Sequence, residues 1–240
     1  MSAGASIDWE SIARGMTDFT TQFSIPAELV TANIPEQAYR GRVGLQSIEF
    51  TNTITTIGTE AFRNCSGLTS ITLPTSLTEI KERAFAQCPN LVLNGGLPNS
   101  LTTVGQYAFQ ACNSITSVII PTSLTTLSQA IFYQCRGLTS VTLHSAITTI
   151  NAYAFYDTRL ANVTIPSSVT SMGNYVFMNN SSLNYVICEA TTPPTLGTGV
   201  FNSTNNCPIY VPDASVNTYK SASRWSEIAS RIFPISDFQP

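Results

Sequence analysis

Four cysteines recur at one phase of the chain. Cys65, Cys88, Cys112 and Cys135 each lie three residues beyond an aromatic, after Phe62, Phe85, Phe109 and Phe132. Stacked in neighbouring coils, their Cα atoms would sit about 5 Å apart, within the disulfide range. Side chains that point in parallel suit the required S–S torsion poorly, however, and no histidine joins them to complete a zinc set. Thr158, Asn180 and Thr204 take the same position in later coils, which fits packing or backbone hydrogen bonding and argues against a metal. Reduced cysteines acting as small buried hydrophobes are expected. Cys188 and Cys207 stand outside this ladder, Cys188 at a strand core position and Cys207 at the start of the last strand. A disulfide between them stays open, as does their redox state, because the spacing alone does not decide it.

The other chemistry-bearing residues are sparse. His144 is the one histidine, so a nucleophilic triad or a zinc hydrolase would have to be built around it. It occupies a loop position where other repeats carry proline, and no Asp or Glu falls at the matching positions of adjoining coils; a solvent-exposed loop residue is expected. Gly197-Thr198-Gly199 lacks the lysine and the strand–loop–helix setting of a phosphate loop. Glu79, Lys81, Glu82 and Arg83 read as one solvated corner, and no paired carboxylates in a cleft are in prospect. No catalytic residues, metal or cofactor are assigned, and no enzyme is expected.

Composition narrows the partners. Of the 240 residues, 11 are Lys or Arg and 14 are Asp or Glu, for a net charge of −3. That balance argues against a nucleic-acid partner, which requires a clustered basic surface, and against a polybasic membrane anchor. Charged residues make up 10 % of the chain, against about 25 % in an ordinary soluble domain. Ser (27) and Thr (32) supply the wettable surface instead. No apolar run is long enough for a transmembrane helix, so no membrane insertion is expected. Met1-Ser2-Ala3-Gly4-Ala5-Ser6 lacks the basic start and apolar stretch of a secretory signal.

The elements that would position these residues follow from an internal repeat. A small or aliphatic residue precedes an aromatic at Tyr39, Phe62, Phe85, Phe109, Phe132, Phe155, Phe177 and Phe201, at steps of 22–24 residues. From Leu68 one unit reads LTSITLPTSLTEIKERAFAQC. Leu68, Ile71 and Leu73 form a short strand whose alternating end turns Ile71 and Leu73 to one face. Pro74 stops the pairing, and Leu77, Ile80, Ala84, Phe85 and Cys88 complete the coil. One such unit cannot bury its apolar residues alone, whereas stacked units merge them into one core. Eight coils at about 4.8 Å each extend roughly 35–40 Å. The fold expected is a repeat solenoid: a right-handed coil of about eight 22–24-residue repeats, mainly short parallel β-strands with turns and short helices.

The pattern AFxxCxxLTSITLPTSLTxI resembles the BspA-like leucine-rich repeats of bacterial surface proteins and some protozoan ones. The resemblance covers about residues 23–212, and CPIYVPDASVNTYKSASRW resembles the segment that closes such arrays. It implies a leucine-rich-repeat solenoid and an adhesin-like role in binding host proteins or other cells, with a secreted or cell-surface location. IDWESIARGMTD resembles a segment of prophage-encoded members, which implies a structural, virion-associated protein as the alternative.

The whole chain, 1–240, is read as one solenoid domain with helical caps at both ends, since open ends would expose core and strand edges. Residues 1–22 hold the N-terminal cap, with Trp9, Ile12, Met16 and Phe19 on one helical face. Residues 23–212 are the repeats. Residues 213–240 are the C-terminal cap, with Asp213 as an N-cap residue and Val216, Tyr219, Trp225, Ile228 and Ile232 available for burial. The array departs from its period at NLVLNGGLPNS, where one extra residue and Gly95-Gly96 suggest a bulge.

The outward strand column reads Ser24, Glu49, Thr72, Gly96, Ile119, Thr142, Thr164, Ile187, Tyr210. A neighbouring column reads Ser47, Ser70, Asn94, Ser117, Ser140, Asn162, Tyr185. Most of this is a solvated sheet of β-formers. Tyr185, Ile187 and Tyr210 differ, because they would cluster on adjacent strands, and uncharged aromatic anchors are what binding patches use. They are the candidate ligand site. The ligand expected is a protein or a glycan, and a monomer is favoured over an oligomer.

Overall fold

A computed structural model describes residues 32–239 together with the strand Phe23–Ser24. The expected N-terminal helical cap lies outside the described residues. The rest is a parallel-strand solenoid of about nine turns in which each turn contributes to three hydrogen-bonded ladders.

The first ladder holds the strands of two to four residues that start at Phe23, Ser47, Ser70, Val92, Ser117, Ser140, Asn162, Tyr185, Ile209 and Ile232. All pair in parallel with their neighbours within three blocks. Alternation puts Ile48, Ile71, Val118, Val163, Val186 and Ile209 into the core and their flanking residues outward. The second ladder holds two-residue strands from Asn33–Ile34 to Thr195–Leu196, with Ile34, Ile57, Ile80, Val104, Leu127, Ile150 and Met172 buried.

The third ladder is built from turns. In each coil from that of Tyr39 to that of Phe177, the N–H groups two before, at and two after the repeat aromatic donate to carbonyls of the next coil. Glu60 donates to Glu82 at 2.9 Å, Phe62 to Ala84 at 2.7 Å and Asn64 to Ala86 at 2.9 Å. The residues at minus two and plus two have positive φ in every coil from Gln37 and Gly41 to Gly199 and Ser203. That is the backbone a type II turn requires at its third position. The rings behind this ladder stack from Tyr39 through Phe201 at 5.1–5.9 Å with planes within 11° of parallel. They form the spine of one core that runs from Ile34 to Ile232.

The irregular coil shows how this fold resolves a misfit. Val92–Asn94 pairs with Ser70–Thr72 as Ser70↔Val92, Ile71↔Leu93 and Thr72↔Asn94. Counting onward from Leu91 by the usual spacing would turn Leu93 outward and Asn94 into the core. A one-residue slip exchanges the two faces, and Gly95 and Gly96, at φ 78° and 75°, return the surplus chain. The outward columns are therefore corrected: Asn94, not Gly96, follows Thr72, and Val92, not Asn94, follows Ser70. Both strand ladders break after this coil, between Val92–Asn94 and Ser117–Ile119 and between Thr103–Val104 and Thr126–Leu127. The turn ladder continues across it through Phe85 to Ala108 and Phe109 to Ile131.

The C-terminal end is closed by less helix than the sequence suggests. It consists of a 3-10 turn at Asp213–Ser215, helix α1 at Val216–Ser221, a 3-10 segment at Ser226–Arg231 and a further 3-10 turn at Ile235–Asp237. It also contains an additional strand, Ile232–Pro234, that pairs with Ile209–Val211. Tyr219, Trp225 and Ile232 are buried, while Val216 and Ile228 are partly so. Asp213 is not an N-cap residue: it is the first residue of the 3-10 turn, whose N-cap is Pro212, and the N-cap of α1 is Ser215. The Asp213 carboxylate accepts instead from the Ser236 N–H at 3.1 Å, which holds its pKa below the usual carboxylate range.

Candidate binding surface

The cysteine ladder is internal architecture. Each thiol donates to the carbonyl of the preceding coil's aromatic: Cys65 to Tyr39, Cys88 to Phe62, Cys112 to Phe85 and Cys135 to Phe109, at 2.9–3.1 Å. Asn180 continues the pattern, with Nδ2 donating to the carbonyl of Phe155 at 2.7 Å. At the last coil Arg231 takes over, donating to the carbonyls of Phe201 at 3.2 Å and Cys207 at 2.9 Å. Burial raises all four ladder thiols, Cys65 and Cys135 to about 12, and Cys88 and Cys112 likewise well above the ordinary thiol value. Cys188 and Cys207 are free thiols. Tyr219 Oη donates to the Ala190 carbonyl at 2.7 Å and so accepts from Cys188 at 3.2 Å, while Arg231 donates to Cys207 Sγ at 3.3 Å.

His144 is a correction. It is half-buried, its Nδ1 accepts from the Ala146 N–H at 3.2 Å, and its Nε2 is buried without a partner. The imidazole is folded back against its own turn, and so it is not a solvent-exposed loop side chain.

The three residues expected to form a site lie on the last coils of the first ladder. Ile187 pairs in register with Thr164 on one side and Tyr210 on the other, and Tyr210 pairs with Phe233 of the added strand. Tyr185 lies two residues before Ile187 on the same face. Phe238 reaches back over both tyrosines, with ring centroids 4.7 Å from Tyr185 and 5.0 Å from Tyr210. The strand face therefore carries Tyr185, Ile187 and Tyr210 enlarged by Phe233, which is 39 % exposed, and Phe238. Neither phenylalanine was among the expected residues. Both follow the last recognisable repeat, where the period no longer says which residues rejoin the ladder.

A second aromatic surface was also missed. Tyr107, Tyr153 and Tyr175 stand two residues before the repeat phenylalanine, and Tyr133 and Tyr156 one residue after it. On the turn ladder these phases meet: Tyr133 stacks on Tyr156 at 4.9 Å, and Tyr153 lies 5.2 Å from Tyr175, 5.7 Å from Tyr156 and 6.2 Å from Tyr133. All five rings are half-buried. Burial, and then the neighbouring phenols Tyr156 and Tyr107, raise the Tyr133 hydroxyl above its ordinary value. Aligning the repeats by phase, instead of reading each unit separately, would have stacked these tyrosines.

Solved structures similar to this chain share its fold. A leucine rich cell surface protein of Faecalibacterium prausnitzii matches with a TM-score of 0.67 at 23 % identity, over 81 % of this chain and 64 % of the other. A leucine-rich repeat protein of Bacteroides ovatus matches at 0.51 and 23 %, over 79 % and 63 %. The leucine rich repeat protein of T. pallidum matches at 0.53 and 22 %, over 78 % of each. The chain thus spans less than two thirds of the length of the first two. No curated protein sequence matches it. The BspA type leucine rich repeat matches in six copies over residues 32–129 and 102–227, and the chain belongs to that family.

Proposed function

We propose that the chain is a non-enzymatic, adhesin-like binding module that works at a cell surface, and that the strand face around Tyr185, Ile187 and Tyr210 engages a protein or glycan ligand. The observation that carries this reading is the run Ile187–Tyr210–Phe233 in direct register on three adjacent strands. A rigid parallel sheet holds these side chains at fixed spacing, so little side-chain freedom is left to lose on binding. Large uncharged groups of this kind form the energetic centres of interfaces. Membership of a family with a cell surface protein among its structural relatives supports the location.

The test is binding of the purified protein to arrayed host-matrix proteins and glycans, with Tyr185→Ala/Tyr210→Ala alongside. The expected outcome is binding by the parent that the double variant loses by tenfold or more. Binding retained in the variant would remove the ligand from the strand face. No binding by either would favour the virion-type structural role.

A further inference from the structure

We propose that the tyrosine stripe on the turn ladder is a separate platform for a neutral polysaccharide. This inference rests on the reading of the chain as a binding module but not on the strand-face patch. Tyr107, Tyr133, Tyr153, Tyr156 and Tyr175 run along three coil steps, about 14 Å at the usual strand spacing, with consecutive ring contacts of 4.9–6.2 Å. Arg83 closes one end, its guanidinium carbon 4.9 Å from the Tyr107 centroid.

The backbone beneath the stripe is unusual for these residues. Tyr107, Tyr153 and Tyr175 sit at φ 57°, 61° and 58°, a region in which bulky side chains are outliers. Gly199 occupies the equivalent position in the last coil. A Cβ there would lie 2.8 Å from Tyr175 Cε1, so its bareness makes room for the final ring. Gln37, Glu60, Arg83 and Ala130 share this backbone in the other coils, so the turn itself fixes where the three rings leave the chain and lines them up along one edge of the solenoid.

The hydrogen bonds and charges select the ligand class. Tyr107 Oη accepts from Gln129 Nε2 at 3.4 Å and Tyr156 Oη from Asn179 Nδ2 at 3.0 Å. Each phenol keeps its own proton to donate, and each carboxamide keeps its oxygen to accept. The stripe therefore alternates aromatic surface with donors and acceptors, the complement of a sugar ring, whose C–H face stacks while its hydroxyls both give and take hydrogen bonds. The ionic groups beside it are already paired, Arg83 with Glu82 and Arg136 with Asp157 at 2.7 Å. An acidic polysaccharide would have to compete with those carboxylates, whereas a neutral one does not.

Affinity electrophoresis through gels containing a mixed-linkage β-glucan, a xylan, a galactomannan or an α-glucan tests this. The expected result is retardation by at least one of them, unaffected by added salt and weakened tenfold or more in Tyr153→Ala/Tyr156→Ala. Tyr185→Ala/Tyr210→Ala should migrate as the parent does. Should the alanine pair not fold, Tyr107→Phe/Tyr156→Phe keeps the rings, removes the two hydroxyls and should still lower retardation. Parent protein that passes unretarded through every gel overturns the proposal, as does retardation that survives the turn-face substitutions. Loss of a matrix-protein contact in the turn-face variants, with no polysaccharide binding by the parent, assigns the stripe to a protein partner and also overturns it. Polysaccharide binding lost only in Tyr185→Ala/Tyr210→Ala leaves the strand-face reading standing and sinks this one.

Discussion

At the scale of single residues, the position three beyond each aromatic shows why chemistry cannot be read from residue type alone. Cys65, Cys88, Cys112 and Cys135 share that position with Thr158, Asn180 and Thr204, all buried. What the seven have in common is a donor that can reach an aromatic residue's carbonyl. The carbonyls of Tyr39, Phe62 and Phe109 also accept a backbone N–H, from Arg42, Cys65 and Cys112, so the ladder gives each buried side-chain donor a partner and these carbonyls a second bond. The thiols carry a pH dependence whose sign follows from their burial. Their folded values lie well above the ordinary thiol value of about 8.5, so between that value and about 12 the folded chain holds protons that the unfolded chain has lost. Stability is complete below about pH 8.5 and falls as pH rises. From pH 7.5 to 9.5 each ladder thiol should remove about 1 kcal/mol, measured as a falling urea midpoint. Cys88→Ala/Cys112→Ala should show a shallower fall, and a maleimide should label the ladder thiols only after unfolding. An equal slope in parent and variant would place the pH dependence elsewhere.

At the scale of elements, the regular coils were legible because two signals agreed. The 22–24-residue period located each turn of the solenoid, and the alternation of Ile71 and Leu73 set its faces. Where the signals conflict, the apolar pattern wins: Leu93 takes the inward place although the count from Leu91 gives it to Asn94. Only the pairing register displays that slip; the outward columns read from the sequence put Gly96 in the place of Asn94 and Asn94 in the place of Val92, each two residues too far along. The closing segment was partly legible for the same kind of reason. Its buried apolar residues could be named, but the strand Ile232–Pro234 is short and ends on proline, and only its place beside Ile209–Val211 makes it a strand. Trp225 anchors this closure. Its ring lies 5.9 Å from Phe201 and 4.7 Å from Tyr219, and its Nε1 donates to the Pro194 carbonyl at 2.8 Å. The Thr191-Thr192-Pro193-Pro194 stretch is therefore part of the surface on which the cap docks. Trp225→Ala should cost about 3–5 kcal/mol in urea unfolding. Trp225→Phe, which loses the hydrogen bond but keeps a ring, should cost about 1–2 kcal/mol. A negligible loss in the alanine variant would show that the added strand closes the solenoid without it.

At the scale of the whole molecule, a solenoid's stability is a sum over coils and their interfaces, so one weak interface can divide it. The coil containing Gly95 and Gly96 supplies such an interface. Both strand ladders stop there, and the coils on either side are joined by turn-ladder bonds and by the ring stack, in which Phe109 lies 5.6 Å from both Phe85 and Phe132. The two sides are not equally closed. The coils from Ser117 onward carry the four-residue strands Asn162–Ile165 and Tyr185–Cys188. They also end on Trp225, Tyr219 and the Arg231 hydrogen bonds. Cooperative units of unequal stability open at different free energies. Amide exchange in mild denaturant should therefore lose protection first in residues 33–104 and later in residues 117–234, as two separable groups. Phe109→Ala should widen the gap by removing the ring that spans the break, with a local cost of about 3–5 kcal/mol. Both candidate surfaces lie wholly or mainly on the later-opening side. Mild denaturant that exposes residues 33–104 should accordingly leave ligand binding at Tyr185 and Tyr210 intact. Loss of that binding in step with exchange of residues 33–104 would mean that the turn ladder and the ring stack together couple the two halves into one unit.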